Sequence, residues 1–255
     1  MLLVIDAGNT RIKWAIPSPT AQPDVVTLWL AMDSLAHAEL DSLPAALAAF
    51  PVTRILISNV AGRAIQARLT DVLGQAFPAL TPHWFTAQAA LAGVRNCYDH
   101  PTQLGCDRFA SALAARALYP RQNVVIATCG TATTIDALTA EADFLGGMIL
   151  PGLKLMAESL AHNTAQLPQV AESLNVAHLF ASNTAAAIVS GCIHAQVGAL
   201  SLARQALIAR SAGPVICLIS GGAAGYLLPH LGFECEHSAN LVLTGLLVVA
   251  QSSPD

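Results

Sequence analysis

The sequence predicts an α/β protein of two related halves, each a mixed sheet flanked by helices. Three observations carry that prediction. Apolar strand-like runs alternate with amphipathic helical ones through most of the 255 residues, the pattern of sheets covered by helices. A glycine turn between two strand-like runs opens each half, at VIDAGNTRIKWAI (4–16) and NVVIATCGTATTIDAL (123–138). Hydrophobic residues make up 54% and charged ones only 11%, which excludes a disordered chain and calls for extensive burial.

The first half opens with the apolar run 2–5, which stops at Asp6. Gly8, Asn9 and Thr10 follow at once, and such residues form a small turn with outward-facing backbone N–H groups. Arg11, Ile12, Lys13, Trp14, Ala15 and Ile16 then alternate charged and apolar side chains as a second strand with one wet face. A Pro-containing turn (17–24), a third strand (VVTLWL, 25–30), an alanine-leucine helix from about Asp41, a buried strand (RILISNV, 54–60), an amphipathic helix (61–77) and a strand (PHWFTA, 82–87) complete the order. Read alone, the opening unit is either an ordinary hairpin or a phosphate-holding one.

The helix FASALAARALYP (109–120) marks the boundary, giving halves of 1–115 and 116–255. In the second half, laying Gly130 on Gly8 puts Thr128 opposite Asp6 and leaves Asp136 on the outgoing strand. FLGGMILPG (144–152) supplies another strand, a long helical stretch follows, helical signals return after Asn183, and VICLISGGAAGYLLPHL (215–231) reads as strand, double-glycine turn and helix. The halves share an order of elements more than a sequence, the mark of an internal duplication. Two such halves would face a cleft in which residues 8–10 and 130–134 grip nucleotide phosphates, with Ser220, Gly221 and Gly222 allowing close backbone approach.

Composition narrows the function further. Net charge is −4 with 12 basic residues scattered along the chain, so no basic stripe is available for nucleic acid. Six cysteines lack CxxC or zinc spacing and read as free thiols in a reducing compartment. The eight histidines are dispersed. The apolar stretch 241–250 is shorter than the ~20 residues of a spanning helix and reads as a core helix, without membrane association. Asp6 interrupts the N-terminal apolar run too early for a signal peptide, which points to the cytoplasm.

Several segments together carry a family resemblance: DAGNT with Lys13, YDHPTQLGCDR (98–108), CGTATTID (129–136), GGMILPG (146–152), LAHNTAQLP (160–168), SNTAAAIVSG (182–191) and ISGGAA (219–224). The chain resembles the type III pantothenate kinases of the acetate kinase, sugar kinase, Hsp70 and actin superfamily. The most specific element is Tyr98, Gly105, Asp107 and Arg108 combined with DAGNT. The resemblance implies two ribonuclease H-like (actin-like ATPase) domains flanking a nucleotide cleft. It implies transfer of the ATP γ-phosphoryl group to pantothenate, the first step toward coenzyme A, by a homodimer dependent on potassium or ammonium.

Residue by residue, the resemblance assigns Asp6, Ala7, Gly8, Asn9, Thr10, Arg11, Ile12, Lys13 and Thr131 to ATP. It assigns Tyr98, Gly105, Cys106, Asp107, Arg108 and Thr184 to pantothenate. Asp107 is the candidate proton acceptor, kept ionised by a helix N-terminus; read alone it would be a helix cap, as would Thr184. Asp6 is the magnesium-orienting acid, through water, Lys13 a point charge on phosphate, and Arg108 a partner for the substrate carboxylate or for Asp107. One departure stands out. Thr128 occupies the place of a family acid associated with the monovalent cation, leaving that site weakened, rebuilt from carbonyls, or completed by a residue such as Asp136. Two other functions compete: a superfamily kinase acting on acetate or a sugar, and a non-catalytic regulatory protein that has kept the fold.

Overall fold

The computed structural model describes residues 1–21, 29–164, 178–211 and 213–252. They form two units, one of Met1–Arg121, Ala142–Phe144 and Asn240–Asp255, the other of Gln122–Glu141 and Leu145–Ala239.

The first unit begins with strands β1 (Leu2–Ala7) and β2 (Arg11–Pro17), then β3 (Trp29–Ala36), a 3-10 turn (His37–Ser42), helix α1 (Leu43–Leu47), β4 (Arg54–Asn59), α2 (Arg63–Ala76) and β5 (His83–Trp84). Short strands β6 (Ala90–Leu91) and β7 (Val94–Asn96) lead to helix α3 (Cys106–Leu118). The main sheet runs β3-β2-β1-β4-β5. β1 is antiparallel to β2 and parallel to β4, so it is the buried centre, which its apolar run requires. Leu3, Ile5, Ile12, Ile16, Ile55 and Ile57 from these strands pack with Leu69 and Leu73 of α2 in one core.

The opening hairpin, the strand near 54–60 and the amphipathic helix lie where the sequence places them. Three elements differ. The predicted third strand at 25–30 falls partly outside the described residues, and β3 instead runs on from Trp29 to Ala36. The helix predicted from about Asp41 is a single short α-turn after a 3-10 turn, with Leu40, Leu43 and Leu47 buried. The strand predicted at 82–87 shrinks to His83–Trp84, because only those residues pair with Leu56 and Ile57 at the sheet edge.

The second unit contains β8 (Asn123–Cys129), β9 (Ala132–Leu138), most of β10 (Asp143–Pro151), α4 (Leu153–Asn163), α5 (Thr184–Arg210), β11 (Val215–Ser220), α6 (Ala224–Leu227) and β12 (Glu236–His237). Its strands follow the order β10-β9-β8-β11-β12. β8 is antiparallel to β9 and parallel to β11, which is parallel to β12. That is the order and sense of β1 with β2, β4 and β5, so the suspected duplication is present as a repeated topology. Asp143 and Phe144 of β10 are grouped with the first unit, where they pair with Arg95 and Asn96 of β7.

The chain ends in α7 (Leu241–Ser252). This helix belongs to the first unit, although a single cut at 115/116 leaves it with the second half. Residues 241–250 are all buried, as expected of a core helix. Gly245 lies against the Ala110 backbone of α3 so closely that a Cβ there would collide with it. α5, at 27 residues, is the one described helix long and apolar enough to cross a membrane, by length and composition alone.

Candidate active site

In the first unit the chemistry gathers at the carboxyl ends of the parallel pair β1 and β4, where α/β sheets hold ligands. Asp6 sits in register with Lys13 on β2 and with Ser58 on β4. The half-buried Asp6 carboxyl is pushed up to about 7, chiefly by burial, further by the charge of Asp107, and against the pull of Lys13. The two carboxylates thus feel one another, like charge raising the carboxyl of Asp6.

Asp107 lies in the first turn of α3, opened by the Phe109 N–H bonding to the Gly105 carbonyl at 3.1 Å. Its Oδ1 accepts the Arg108 backbone N–H at 2.8 Å. Burial nonetheless raises its carboxyl above the ordinary value, outweighing that N–H and the Arg108 guanidinium. The helix terminus thus does not keep the group at an ordinary acidity, as the sequence suggested; desolvation wins. Gly105 makes room for the carboxylate, since a Cβ there would stand 2.7 Å from Asp107 Oδ1.

The turn after Asp6 is fixed from both sides of Gly8. The Gly8 N–H donates to the Arg11 carbonyl at 3.1 Å, and the Gly8 carbonyl accepts from His37 Nε2 at 2.9 Å. Asn9 and Thr10 are exposed. Ala7 and Ile12 are buried and offer a ligand only backbone. Arg11 turns to β3, donating from Nε to Ser34 Oγ at 2.7 Å and from Nη2 to the Ser34 carbonyl at 2.6 Å. Sequence reasoning missed His37 and Ser58: the first is 29 residues from its partner, and neither sits in a motif.

Tyr98 and Arg108 form one cluster. Arg108 is buried, donates from Nη1 to Tyr98 Oη at 2.8 Å and lies 5.7 Å from the centre of the Tyr98 ring. Buried Asn96 anchors the loop, accepting the Tyr98 N–H at 3.1 Å and donating to the Gln88 and Pro101 carbonyls. Cys106 points back to β4, with Sγ 3.3 Å from Ser58 Oγ and 3.5 Å from the Asn59 carbonyl.

In the second unit, the Gly130 N–H donates to the Ala132 carbonyl at 3.0 Å, leaving Thr131 exposed at the tip. Glycines pack behind it. The Gly152 N–H bonds to the Thr131 carbonyl at 2.8 Å, and a Cβ on Gly152 would strike the Gly130 and Thr131 carbonyls. Gly221, at φ +95°, leaves a Cβ no room against the Cys129 backbone. Thr128 is in register with Thr134 and Ser220. Asp136 pairs with Ile126, deeper along the strand, and is buried. Thr184 is the first residue of α5 rather than its cap: Asn183 Oδ1 takes the Ala186 N–H at 2.9 Å. With Pro151, Met156, Leu160 and Ile188, Thr184 lines a cavity of about 510 Å³. Of LAHNTAQLP, residues 165–168 lie outside the described residues.

Among the described residues no group of three or more His, Cys, Asp or Glu could hold a metal.

Comparison with known proteins covers the whole chain. Residues 2–205 match a family model described as type III pantothenate kinase. A protein of that name from Janthinobacterium sp. (strain Marseille) is 50% identical over 260 residues, spanning 100% of this chain and 99% of that one. Another, from Herminiimonas arsenicoxydans, is 47% identical, spanning 98% and 97%. Among solved structures, a glucokinase from an Antarctic psychrotroph aligns over 99% of each chain at 14% identity with a TM-score of 0.54, which establishes a shared sugar-kinase-type fold.

Proposed function

Because this chain belongs to the type III pantothenate kinase family, we propose that it transfers the γ-phosphoryl group of ATP to the primary hydroxyl of pantothenate, with Asp107 as general base. The observation that carries the assignment of roles is the Asp6–Lys13–Asp107 grouping behind the turn at residues 8–10.

Phosphoryl transfer to an alcohol requires positioned phosphates, neutralised charge and an acceptor for the hydroxyl proton. The exposed Asn9 and Thr10, with Lys13, receive ATP phosphates. Arg108 and Tyr98 hold pantothenate, the guanidinium facing its carboxylate. Asp107 takes the hydroxyl proton as the oxygen bonds to phosphorus and ADP leaves. Its raised pKa strengthens it as a base near neutrality. Asp6 would hold magnesium through its water, and the ion would supply positive charge against the phosphates.

The protein works as a cytoplasmic homodimer, without nucleic acid or membrane. Exposed Ile149, Leu155, Leu160, Phe180 and Leu202 give the second unit the apolar surface for a second copy. Potassium or ammonium would add positive charge near the second turn, where Thr128 stands in place of an acid and carbonyls or a residue such as Asp136 would complete the site.

The test is ADP release with magnesium, ATP and pantothenate, with and without potassium or ammonium, and with acetate and glucose as alternative acceptors. Pantothenate-dependent ADP and phosphopantothenate are expected. Turnover of acetate or glucose alone would reassign the substrate, and ATP binding without turnover would indicate a regulatory protein. Sedimentation as a monomer at micromolar concentration would remove the dimer.

A further inference from the structure

Away from the turns, the edge of the second sheet holds two cysteines side by side. Cys217 lies in β11, and Cys235 immediately precedes β12. Each comes one residue before the first paired residues of those parallel strands, Leu218 and Glu236, so both side chains leave the same face. Their sulfurs are 3.2 Å apart. A disulfide needs about 2.0 Å between sulfurs, a closure that small side-chain rotations at a sheet edge can supply.

The surroundings favour reaction over burial. Cys217 is 2% exposed, whereas Cys235 is half-buried and reachable from solvent. The Arg204 guanidinium stacks on the Phe233 ring at 4.9 Å, and its buried Nε finds no hydrogen-bond acceptor among the described residues. The bond to Cys235 and burial hold the Cys217 thiol well above the ordinary range, against a smaller pull from the Arg204 charge. The Cys235 thiol is lowered by its bond to Cys217, against burial and the Glu236 carboxylate. A half-buried thiol in contact with a second thiol that a guanidinium's charge reaches is the setting of a reactive cysteine pair.

We propose that Cys217 and Cys235 are a redox-active dithiol that hydrogen peroxide converts to a reversible disulfide. The Cys235 thiolate attacks one peroxide oxygen, the O–O bond breaks, and the hydroxide released takes up the proton Cys235 lost, forming water. The Cys217 sulfur then attacks the sulfenic sulfur of Cys235, the S–O bond breaks, and hydroxide leaves with the Cys217 proton as a second water. Two thiols are oxidised together by two electrons and one peroxide is reduced by two.

The test treats reduced protein, in a Cys97→Ser background that removes the exposed thiol, with hydrogen peroxide, followed by alkylation and non-reducing peptide mapping. The expected result is a loss of two titratable thiols, a mass lower by two hydrogens and a Cys217–Cys235 linked peptide, all reversed by dithiothreitol and absent in Cys235→Ser. Full alkylation of both residues after peroxide, a link from either to Cys129, or oxygen addition at Cys235 without a link would overturn the proposal. Kinase activity is not the readout, so the result stands apart from the assignment of function.

Discussion

The two glycine turns occupy equivalent places in sheets of the same strand order, but their surroundings differ in kind. Before the first turn stands Asp6, flanked by Lys13 and Ser58. Before the second stands Thr128, flanked by Thr134 and Ser220. An acid–base pair has become a pair of hydroxyls while the serine on the parallel strand is kept. The first turn is built from charge, and a side-chain hydrogen bond from His37 braces its glycine carbonyl. The second is built from close backbone packing, with Gly152 and Gly221 leaving no room for a Cβ. One duplicated scaffold therefore supports two ways of presenting backbone N–H groups, and only the charged one lies in the unit that carries Asp107.

The largest contrast follows from removing charge. Asp6→Asn should lower turnover by about 10²-fold or more if Asp6 is the acid that orients the cation, as proposed, whereas Thr128→Ala should change it only slightly in the absence of potassium. Asp6→Asn should also stabilise the protein. The folded-state pKa of Asp6 lies near 7 against 3.8 for a free carboxyl, so its contribution is full below pH ~4 and is lost as pH rises toward ~7. At pH 8 the variant should gain stability, up to a ceiling of about 4 kcal/mol, and at pH 4 almost none. Denaturant melts at the two pH values check this; an equal gain at both would break the electrostatic account of the first turn.

Next in size is packing. Gly221→Ala and Gly152→Ala should each cost about 1–3 kcal/mol or more through overpacking and strain. Gly8→Ala meets only the Arg11 carbonyl, at 3.2 Å, and should cost less. Comparable losses in all three would erase the distinction between the turns.

Two smaller changes sharpen it. Thr128→Asp supplies the second turn with an acid, and half-maximal activation should then come at lower potassium; an unchanged titration would place the cation elsewhere. His37→Leu removes the donor to the Gly8 carbonyl at a cost of about 1 kcal/mol. KM for ATP should rise about five-fold with kcat and KM for pantothenate held, and His37→Gln, which keeps a donor, should recover part of the loss.

What could be read in advance divides along physical lines. The hairpin at residues 2–17, helix α3 and the burial of residues 241–250 were legible because apolar runs, turn residues and periodicity are local. The placing of α7 in the first unit was not, because it depends on the fit of Gly245 against Ala110, more than a hundred residues away in the chain. The same holds within the site. Asp6, Lys13 and Asp107 stand in recognisable segments, while His37, Ser58, Gly152 and Gly221 act by touching a turn that the chain reaches from afar. The raised pKa values of Asp6 and Asp107 were likewise hidden, since burial overrides the helix terminus and the nearby lysine.

The most direct test of the central claim compares Asp107→Asn with the wild-type protein in pantothenate-dependent ADP release, alongside ADP binding. Loss of the base should lower kcat by about 10²–10⁴-fold with ADP affinity within a few-fold of normal, and wild-type kcat/KM should fall with pH at values above the ordinary carboxylate range. An Asn variant turning over at a near-normal rate would contradict the assignment of Asp107 as the base.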